Sequence, residues 1–153
     1  MWQTLLNKIL LRGQRAESAA KQFLESLKSE AAEGFLELLL KLMSLVFYID
    51  PGFRRNIENF QGRYLFRSQD RGITVAAVFQ DSRLKVSQEE IKDTNVTVIF
   101  RNGKALMNFL LSPKPDILGS LLRQDLSIDG NLNYLYKFAY MAKHLQLKFM
   151  PRS

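Results

Sequence analysis

Near its end the sequence alternates polar and apolar residues with the period of an α-helix that is apolar around most of its circumference. From Asn131 to Leu145, at 3.6 residues per turn, the polar side chains fall on one narrow line and most other positions are apolar. That line consists of Asn133, Lys137, Tyr140 and His144. A single contact layer needs less apolar surface than this, so we expect the helix to be covered on several sides.

The segment from Phe35 to Tyr48 has the same character. Its thin polar line consists of Glu33, Glu37, Lys41 and Ser44, and nearly all other residues are Leu, Met, Val or Phe. Asp50-Pro51-Gly52 predicts the end of this helix, because proline restricts the residue before it and has no N–H to donate. A short helix from Phe53 to Phe60 is expected next.

Between these helices the hydrophobic period changes to two, which indicates strands. The predicted strands cover residues 63–69, 73–80, 83–87, 96–100 and 126–128. Two short helices, residues 103–111 and 115–122, separate the last two strands, and Ser112-Pro113-Lys114-Pro115 separates the helices. The predicted fold class is therefore α+β: a five-stranded, mostly antiparallel sheet covered by helices, within a domain of residues 53–150.

Residues 1–50 are interpreted as an N-terminal helical extension of that domain. Residues 1–11 form a basic amphipathic pattern that begins with Trp2, which is typical of a segment lying in a membrane interface. Packing on the chain's own domain or on a second subunit is the other interpretation. A membrane surface reached through residues 1–28 and a homodimer therefore both stay open.

The most apolar window, residues 35–49, contains fifteen residues with Glu37 and Lys41 among them. It is shorter than the roughly 18–20 residues that span a bilayer, so we expect a soluble or peripheral protein. The absence of Cys fits a reducing compartment. We expect a cytoplasmic protein, with a peripheral place on the inner membrane left open.

The residue types that carry most catalysis are scarce in this chain. There is no Cys and only one His, which removes thiolate chemistry and the usual ligands of zinc sites. His144 falls on the polar line of the last helix, which favours a solvated imidazole over a catalytic base. We expect no enzyme activity, no catalytic residue, no metal and no cofactor.

The formal net charge of +7 comes entirely from residues 51–153, which hold sixteen Lys or Arg and nine Asp or Glu. Arg63 and Arg67 flank Tyr64 and Phe66, an arrangement that could imitate the stacking surface of an RNA-binding sheet. No recognised nucleic-acid signature accompanies them, and the aromatic residues are equally suited to a core. We expect a solvated basic face and no nucleic-acid partner.

The two long helices and the two short ones together carry more apolar surface than one face of a five-stranded sheet can cover. At roughly 25 cal/mol per Å², leaving several such side chains in water would cost many kcal/mol. An unusually thick core, a dimer interface and an enclosed slot for an acyl or isoprenoid chain are the explanations that the pattern leaves open.

Several local sequences, in this element order, resemble the sterol carrier protein-2 domain. They are Phe60-Gln-Gly-Arg-Tyr64, Asn95-Val-Thr-Val-Ile-Phe100, Lys114-Pro115-Asp116 and Leu126-Ser-Ile-Asp-Gly-Asn131. The match covers about residues 53–147. The chain is similar in particular to bacterial accessory proteins of ubiquinone biosynthesis that carry this domain after a helical extension. Arg123-Gln124-Asp125 stands where the family often has Gly, and Asn131 replaces a frequent Asp.

The resemblance implies a noncatalytic lipid carrier whose sheet and helices enclose a hydrophobic tunnel. Its ligand would be an acyl chain, a sterol, a phospholipid or a prenylated quinone precursor. The family pattern supplies no polar ligand-binding residue, so the lipid-binding residues are chosen from periodicity. The predicted wall consists of Leu106, Phe109, Leu110, Leu118, Leu135, Phe138 and Met141, and the predicted lid of Phe35, Leu39, Leu42 and Met43. The alternative is a structural accessory subunit that binds partner enzymes through its apolar helices.

Overall fold

A computed structural model describes residues 29–112 and 116–149 of the chain. The segment 1–28 and residues 113–115 of the predicted separator Ser112-Pro113-Lys114-Pro115 lie outside these residues. The helices of the described part are α1 (Ser29–Ile49), α2 (Pro51–Arg54), α3 (Gly103–Leu111), α4 (Ile117–Leu122) and α5 (Leu132–Phe149). The strands are β1 (Gly62–Ser68), β2 (Thr74–Gln80), β3 (Arg83–Ser87), β4 (Val96–Phe100) and β5 (Leu126–Gly130). These elements confirm the predicted α+β class.

The five strands form one sheet in the order β3-β2-β1-β4-β5. Strands β1 and β4 pair in parallel, and the other three neighbouring pairs are antiparallel. The predicted mostly antiparallel sheet is confirmed. After β3, at one edge of the sheet, the chain crosses to the far side of β1. There β4 runs in the same direction as β1, which gives the parallel pair.

That return crosses the outer face of the sheet, the face opposite Tyr64 and Phe66. The Arg63 guanidinium donates to the carbonyl of Lys92 from Nη2 at 2.8 Å and to the carbonyl of Asp93 from Nε at 3.2 Å. Arg67 forms an ion pair of 2.9 Å with Glu90. Two basic side chains of β1, those of Arg63 and Arg67, therefore hold the crossover against the sheet.

The inner face of the sheet is apolar and carries the core. Side chains alternate along each strand, so every second residue points inward. The inward set on the three central strands is Tyr64, Phe66, Val75, Ala77, Phe79, Val96, Val98 and Phe100, all buried. Helices α1, α3 and α5 pack over this face, so the main core lies between the sheet and these helices.

Helix α1 begins at Ser29 rather than at the predicted Phe35, and it belongs to the same core as the sheet. The sequence pattern predicts residues 29–49 as part of the N-terminal extension. The short helix predicted over residues 53–60 is shorter in the structure: it consists of α2 and a following 3₁₀ turn that ends at Ile57. Asp50 fixes that junction, since its Oδ1 accepts the N–H groups of Gly52 at 2.9 Å and Phe53 at 3.1 Å. Within the described residues, each helix lacks the combination of length and apolarity that would carry it across a membrane.

Gly130 explains the turn between β5 and α5. Its φ is +116°, and a Cβ there would lie 2.4 Å from the carbonyl oxygen of Asn95. The next residue, Asn131, donates its N–H to the same carbonyl at 2.8 Å. Only glycine allows this approach without strain. The approach fixes the direction in which the chain leaves β5 and enters α5.

Candidate functional site

All predicted lipid-binding residues except Leu118 meet in one buried region between the inner face of the sheet and helices α1, α3 and α5, which we call the apolar layer. Its predicted members with buried side chains are Leu39, Met43, Leu106, Phe109, Leu110, Leu135, Phe138 and Met141. Phe35 and Leu42 are half-buried and pack against it. Residues from three separate helices thus converge on one surface, although the sequence distance between them reaches about a hundred positions.

Leu118 is the predicted wall residue that the structure places elsewhere. Its side chain is 61% exposed, whereas its neighbour Ile117 is buried in the core. Helix α4 spans only six residues, and Asp116 caps it by accepting the N–H of Gly119 at 2.9 Å. This cap sets the rotation of the helix, so Ile117 takes the inward position that the periodicity had given to Leu118.

Phe138 lies at the centre of the layer. Its ring is 5.1 Å from the ring of Phe66 and 6.2 Å from that of Tyr64, measured between centroids. Tyr64 in turn lies 5.3 Å from Phe79. The floor of the layer is therefore aromatic, and sequence periodicity alone had placed Tyr64 and Phe66 on one face of the sheet without assigning them to the site.

The two long helices do not bury all their apolar surface. Leu38 and Leu45 on α1 are 67% and 53% exposed, and Tyr136 on α5 is 45% exposed. The expectation that both helices are covered on several sides is therefore wrong for these positions. Each helix buries one broad face, which is what a two-layer arrangement of helices on a sheet provides.

Helix α1 closes the layer and is tied to the sheet by polar contacts along one edge. Glu33 Oε2 accepts the N–H of Thr74 at 2.7 Å, and the hydroxyl of Ser44 donates to the carbonyl of Leu84 at 2.7 Å. Gln88, just after β3, donates to Glu37. Hydrogen bonds from Lys41 and from Gln88 also lower the pKa of Glu37. All these ties join α1 to β2, β3 or the residue that follows β3.

Among the open grooves that the described residues form, two flank the apolar layer. The first, of about 630 Å³, lies between the second half of α1 and the turn from β2 to β3; we call it the basic groove because Lys41, Arg54 and Arg83 line it. The second, of about 510 Å³, is lined by residues of β5 and by Leu121 and Leu132. The predicted wall and lid residues line neither groove, because their side chains pack against one another with α1 seated on them.

His144 is not the solvated imidazole that the polar line predicted. The ring is half-buried, its Nδ1 is 2.8 Å from Nδ2 of Asn56, and its centroid is 5.2 Å from that of Phe53. The contact links α5 to the segment after α2. In the part of the chain that the structure describes, no group of three or more His, Asp or Glu side chains is arranged to hold a metal ion.

No protein-family model and no curated protein matches the chain. Among solved structures, it is similar to UbiJ-SCP2, a ubiquinone synthesis protein, with a TM-score of 0.57 and 17% identity over 78% of this chain and 93% of that one. It is also similar to the sterol carrier protein domain 2 of Helicoverpa armigera, with a TM-score of 0.50 and 18% identity over 74% of this chain and 88% of that one.

A third similar structure is the inverting sec-alkylsulfatase Pisa1 from Pseudomonas sp., with a TM-score of 0.51 and 13% identity. The match covers 57% of this chain but only 14% of the sulfatase. At such identities these likenesses establish the fold.

Proposed function

We propose that this chain, which has the fold of sterol carrier protein-2 domains, is a noncatalytic carrier that holds the apolar chain of a lipid in the apolar layer. The ligand classes that suit such a site are an acyl chain, a sterol, a phospholipid and a prenylated quinone precursor. The observation that carries the proposal is the convergence of the lid residues of α1 and the wall residues of α3 and α5 on one continuous apolar surface. The shared fold with a sterol carrier domain and with UbiJ-SCP2 supports it.

A ligand in this layer requires α1 to move, because α1 now covers the inner face of the sheet. Leu36, Leu40 and Met43 of α1 are fully buried against that face and its neighbouring helices. The polar ties of α1 run to the β2 and β3 side, through Glu33, Ser44 and Glu37. We therefore propose that α1 is the lid, that these ties hold it closed, and that it lifts away from β2 and β3 when a ligand enters.

The energetics permit such an exchange. Lifting α1 exposes apolar side chains, and a guest chain restores the lost burial at about 0.8 kcal/mol for each CH₂ that it brings out of water. A chain of roughly ten methylene groups would thus contribute about 8 kcal/mol, which is comparable with the apolar contacts of a few core residues. The guest and α1 compete for the same surface, so no new polar contact is needed.

Native mass spectrometry of the purified full-length chain, followed by solvent extraction, tests the carrier function directly. We expect a bound lipid that survives purification and that exchanges with added lipid at a ratio of one per chain. Repeated isolation of lipid-free protein that cannot take up a fluorescent fatty acid, together with a stoichiometric protein complex, would instead favour an accessory subunit.

A reversible cross-link tests the lid. The chain has no Cys, so Glu37→Cys/Gln88→Cys can be joined selectively with a short bifunctional methanethiosulfonate reagent that dithiothreitol removes. The two native side chains are in contact, so the link should hold α1 in place. We expect uptake of a fluorescent fatty acid to stop after cross-linking and to return after reduction.

Glu37→Cys/Lys41→Cys is the matched control, because both of its cysteines lie on α1, where the native side chains form an ion pair of 2.7 Å. The same reagent then bridges the helix without tying it to the sheet. Equal uptake by the two cross-linked variants would show that α1 is not the lid, whereas lipid-free protein before and after reduction would count against the carrier function itself.

A further inference from the structure

The basic groove brings three cations from three elements onto one open surface. Lys41 comes from α1, Arg54 from α2 and Arg83 from β3, and Asp81 is the only carboxylate among the described residues that line the groove. In the described part of the chain, neither Arg54 nor Arg83 forms an ion pair, while Lys41 is shared with Glu37. The groove therefore carries positive charge that its own residues leave largely uncompensated.

The two guanidinium groups are positioned around Tyr48. Arg54 donates from Nη1 to the carbonyl oxygens of Phe47 at 3.1 Å and Tyr48 at 3.0 Å. The guanidinium carbon of Arg83 lies 5.9 Å from the centre of the Tyr48 ring. Among the described residues, Nη2 and Nε of Arg54 have no hydrogen-bond partner, so they remain available as donors to a ligand.

Apolar side chains form the rest of the groove. Phe47 and Leu84 are buried and make its floor, while Leu45 and Tyr48 are more than half exposed at its wall. Its volume of about 630 Å³ falls in the range of small-molecule sites. A surface that is basic on one side and apolar on the other fits a ligand with the same division.

We propose that the basic groove binds an anionic amphiphile: an oxygen-rich headgroup, phosphate or carboxylate, at Arg54 and Arg83, with the first part of its chain against Leu45 and Tyr48. Guanidinium groups suit this headgroup because their planar array of donors matches phosphate and carboxylate oxygens. Predicted wall and lid residues do not line the groove, so this proposal does not rest on the carrier function.

The test uses decyl phosphate, decanoate, decyl maltoside and inorganic phosphate as probes, below micellar concentrations, with the full chain. Amide chemical shifts locate the binding site and titration calorimetry gives the affinities. We expect decyl phosphate or decanoate to shift residues 44–48 and 81–84 and to bind more tightly than decyl maltoside or inorganic phosphate. Raising the salt concentration should weaken this binding.

Arg83→Glu should lower the affinity for the better anionic probe at least about tenfold, because it replaces a charged donor by a repelling carboxylate. Lys85→Glu is the matched control: this exposed cation lies on the same strand but does not line the groove, and we expect its affinity to remain within about twofold of the unmodified chain. Arg54→Lys keeps the charge but removes the planar fork, and should weaken phosphate binding with α1 still folded.

Three results would overturn the proposal. Equal affinity for decyl maltoside would show that the headgroup charge is not recognised. Equal affinity for inorganic phosphate would show that the apolar wall is not used. Equal effects of Arg83→Glu and Lys85→Glu would show that the protein responds to its total charge rather than through this groove. Amide spectra unchanged outside the groove would establish that each variant is folded.

Discussion

The hydroxyl of Tyr64 on β1 donates a hydrogen bond of 2.7 Å to the backbone carbonyl of Tyr134 on α5. The Tyr64 side chain is fully buried, and its ring lies 6.1 Å from that of Phe66 and 5.9 Å from that of Tyr134. This bond is a polar contact between the floor of the apolar layer and the helix that forms its far wall. It gives α5 a fixed position along the strand, which apolar packing alone would not specify.

Tyr64→Phe should therefore destabilise the fold without creating a cavity. The variant keeps the ring contacts and loses one hydrogen bond, so we expect its free energy of unfolding to fall by about 1 kcal/mol. Urea denaturation followed by circular dichroism measures the change. Tyr140→Phe, at a side chain that is 61% exposed, is the control and should leave the midpoint nearly unchanged. Equal midpoints for the two variants would contradict a stabilising role of the Tyr64 hydrogen bond.

Alkaline pH should weaken the fold through the same residue. Burial, with charge repulsion from Tyr134 as a lesser cause, raises the pKa of Tyr64 above its ordinary value of 10.0. The unfolded chain thus releases this proton at a lower pH than the folded chain does. The stability contributed by neutral Tyr64 is complete below pH 10.0 and is lost as the pH rises from there through the folded pKa.

We expect the free energy of unfolding to decrease as the pH is raised beyond 10.0. Urea titrations of the unmodified chain and of Tyr64→Phe across this interval measure the effect. The variant should show a smaller decrease, because it lacks the group that titrates. Parallel pH profiles would assign the loss to other residues.

Replacing Phe138 tests the centre of the apolar layer. Phe138→Ala removes the ring that packs on Phe66 and leaves a cavity, so we expect a loss of about 3–5 kcal/mol in the free energy of unfolding. The neighbouring Lys137 lies on another face of α5, with its ammonium 5.1 Å from the centre of the Phe60 ring. Lys137→Ala should cost less than about 1 kcal/mol. Urea denaturation separates the two, and similar losses would contradict the assigned rotation of α5.

Strand β3 and helix α3 match their predicted bounds, and each begins at a local sequence signal. Strand β3 starts directly after the turn residues Asp81 and Ser82, which both have positive φ, as two-residue hairpins require. Helix α3 starts after Asn102, whose side chain accepts the N–H of Ala105 at 2.9 Å. In both cases the information lies within a few residues of the boundary, so a single sequence is sufficient to locate it.

Features that depend on distant contacts were not predictable in the same way. The first turns of α1 are stabilised where Glu33 accepts the N–H of Thr74, 41 positions later in the chain. His144 became half-buried because Asn56, 88 positions earlier, reaches its ring. For Leu118, a six-residue helix gives too few positions for a period of 3.6 to decide which neighbour points inward.

Asp50 has two roles at the end of α1 that can be separated by mutation. Its Oδ1 caps α2, and its Oδ2 pairs with Lys148 of α5 at 2.8 Å. Hydrogen bonds from Lys148 and from the Phe53 N–H lower the pKa of Asp50 below 3.8, so its contribution is present above that value and is lost as the pH falls through the lowered pKa.

Asp50→Asn keeps a capping side chain and loses only the ion pair, whereas Asp50→Ala loses both. We expect the melting temperature at neutral pH to fall more for Asp50→Ala than for Asp50→Asn. Lys148→Gln should resemble Asp50→Asn, because it removes the same ion pair from the other side. An Asp50→Asn variant as unstable as Asp50→Ala would mean that the cap contributes nothing.

Deleting residues 1–28 tests the predicted membrane role of the N-terminal segment. This segment holds five Lys or Arg and two Glu, together with Trp2, and it precedes every described helix and strand. A basic segment gains about 1 kcal/mol for each Lys or Arg that comes near an anionic lipid surface. We expect the truncated chain to float less with vesicles that contain anionic lipid, and to keep the cooperative unfolding of its β domain, followed by circular dichroism.

The charge and the aromatic anchor can then be tested in the full-length chain. Lys8→Glu/Arg12→Glu should weaken flotation with anionic vesicles, whereas Trp2→Ala should weaken flotation with neutral vesicles as well, since an aromatic residue at the interface does not depend on lipid charge. Undiminished flotation of the truncated chain would place the membrane contact within residues 29–153. The basic groove, with its exposed Tyr48 and Leu45, would then be the first surface to alter, through Arg83→Glu.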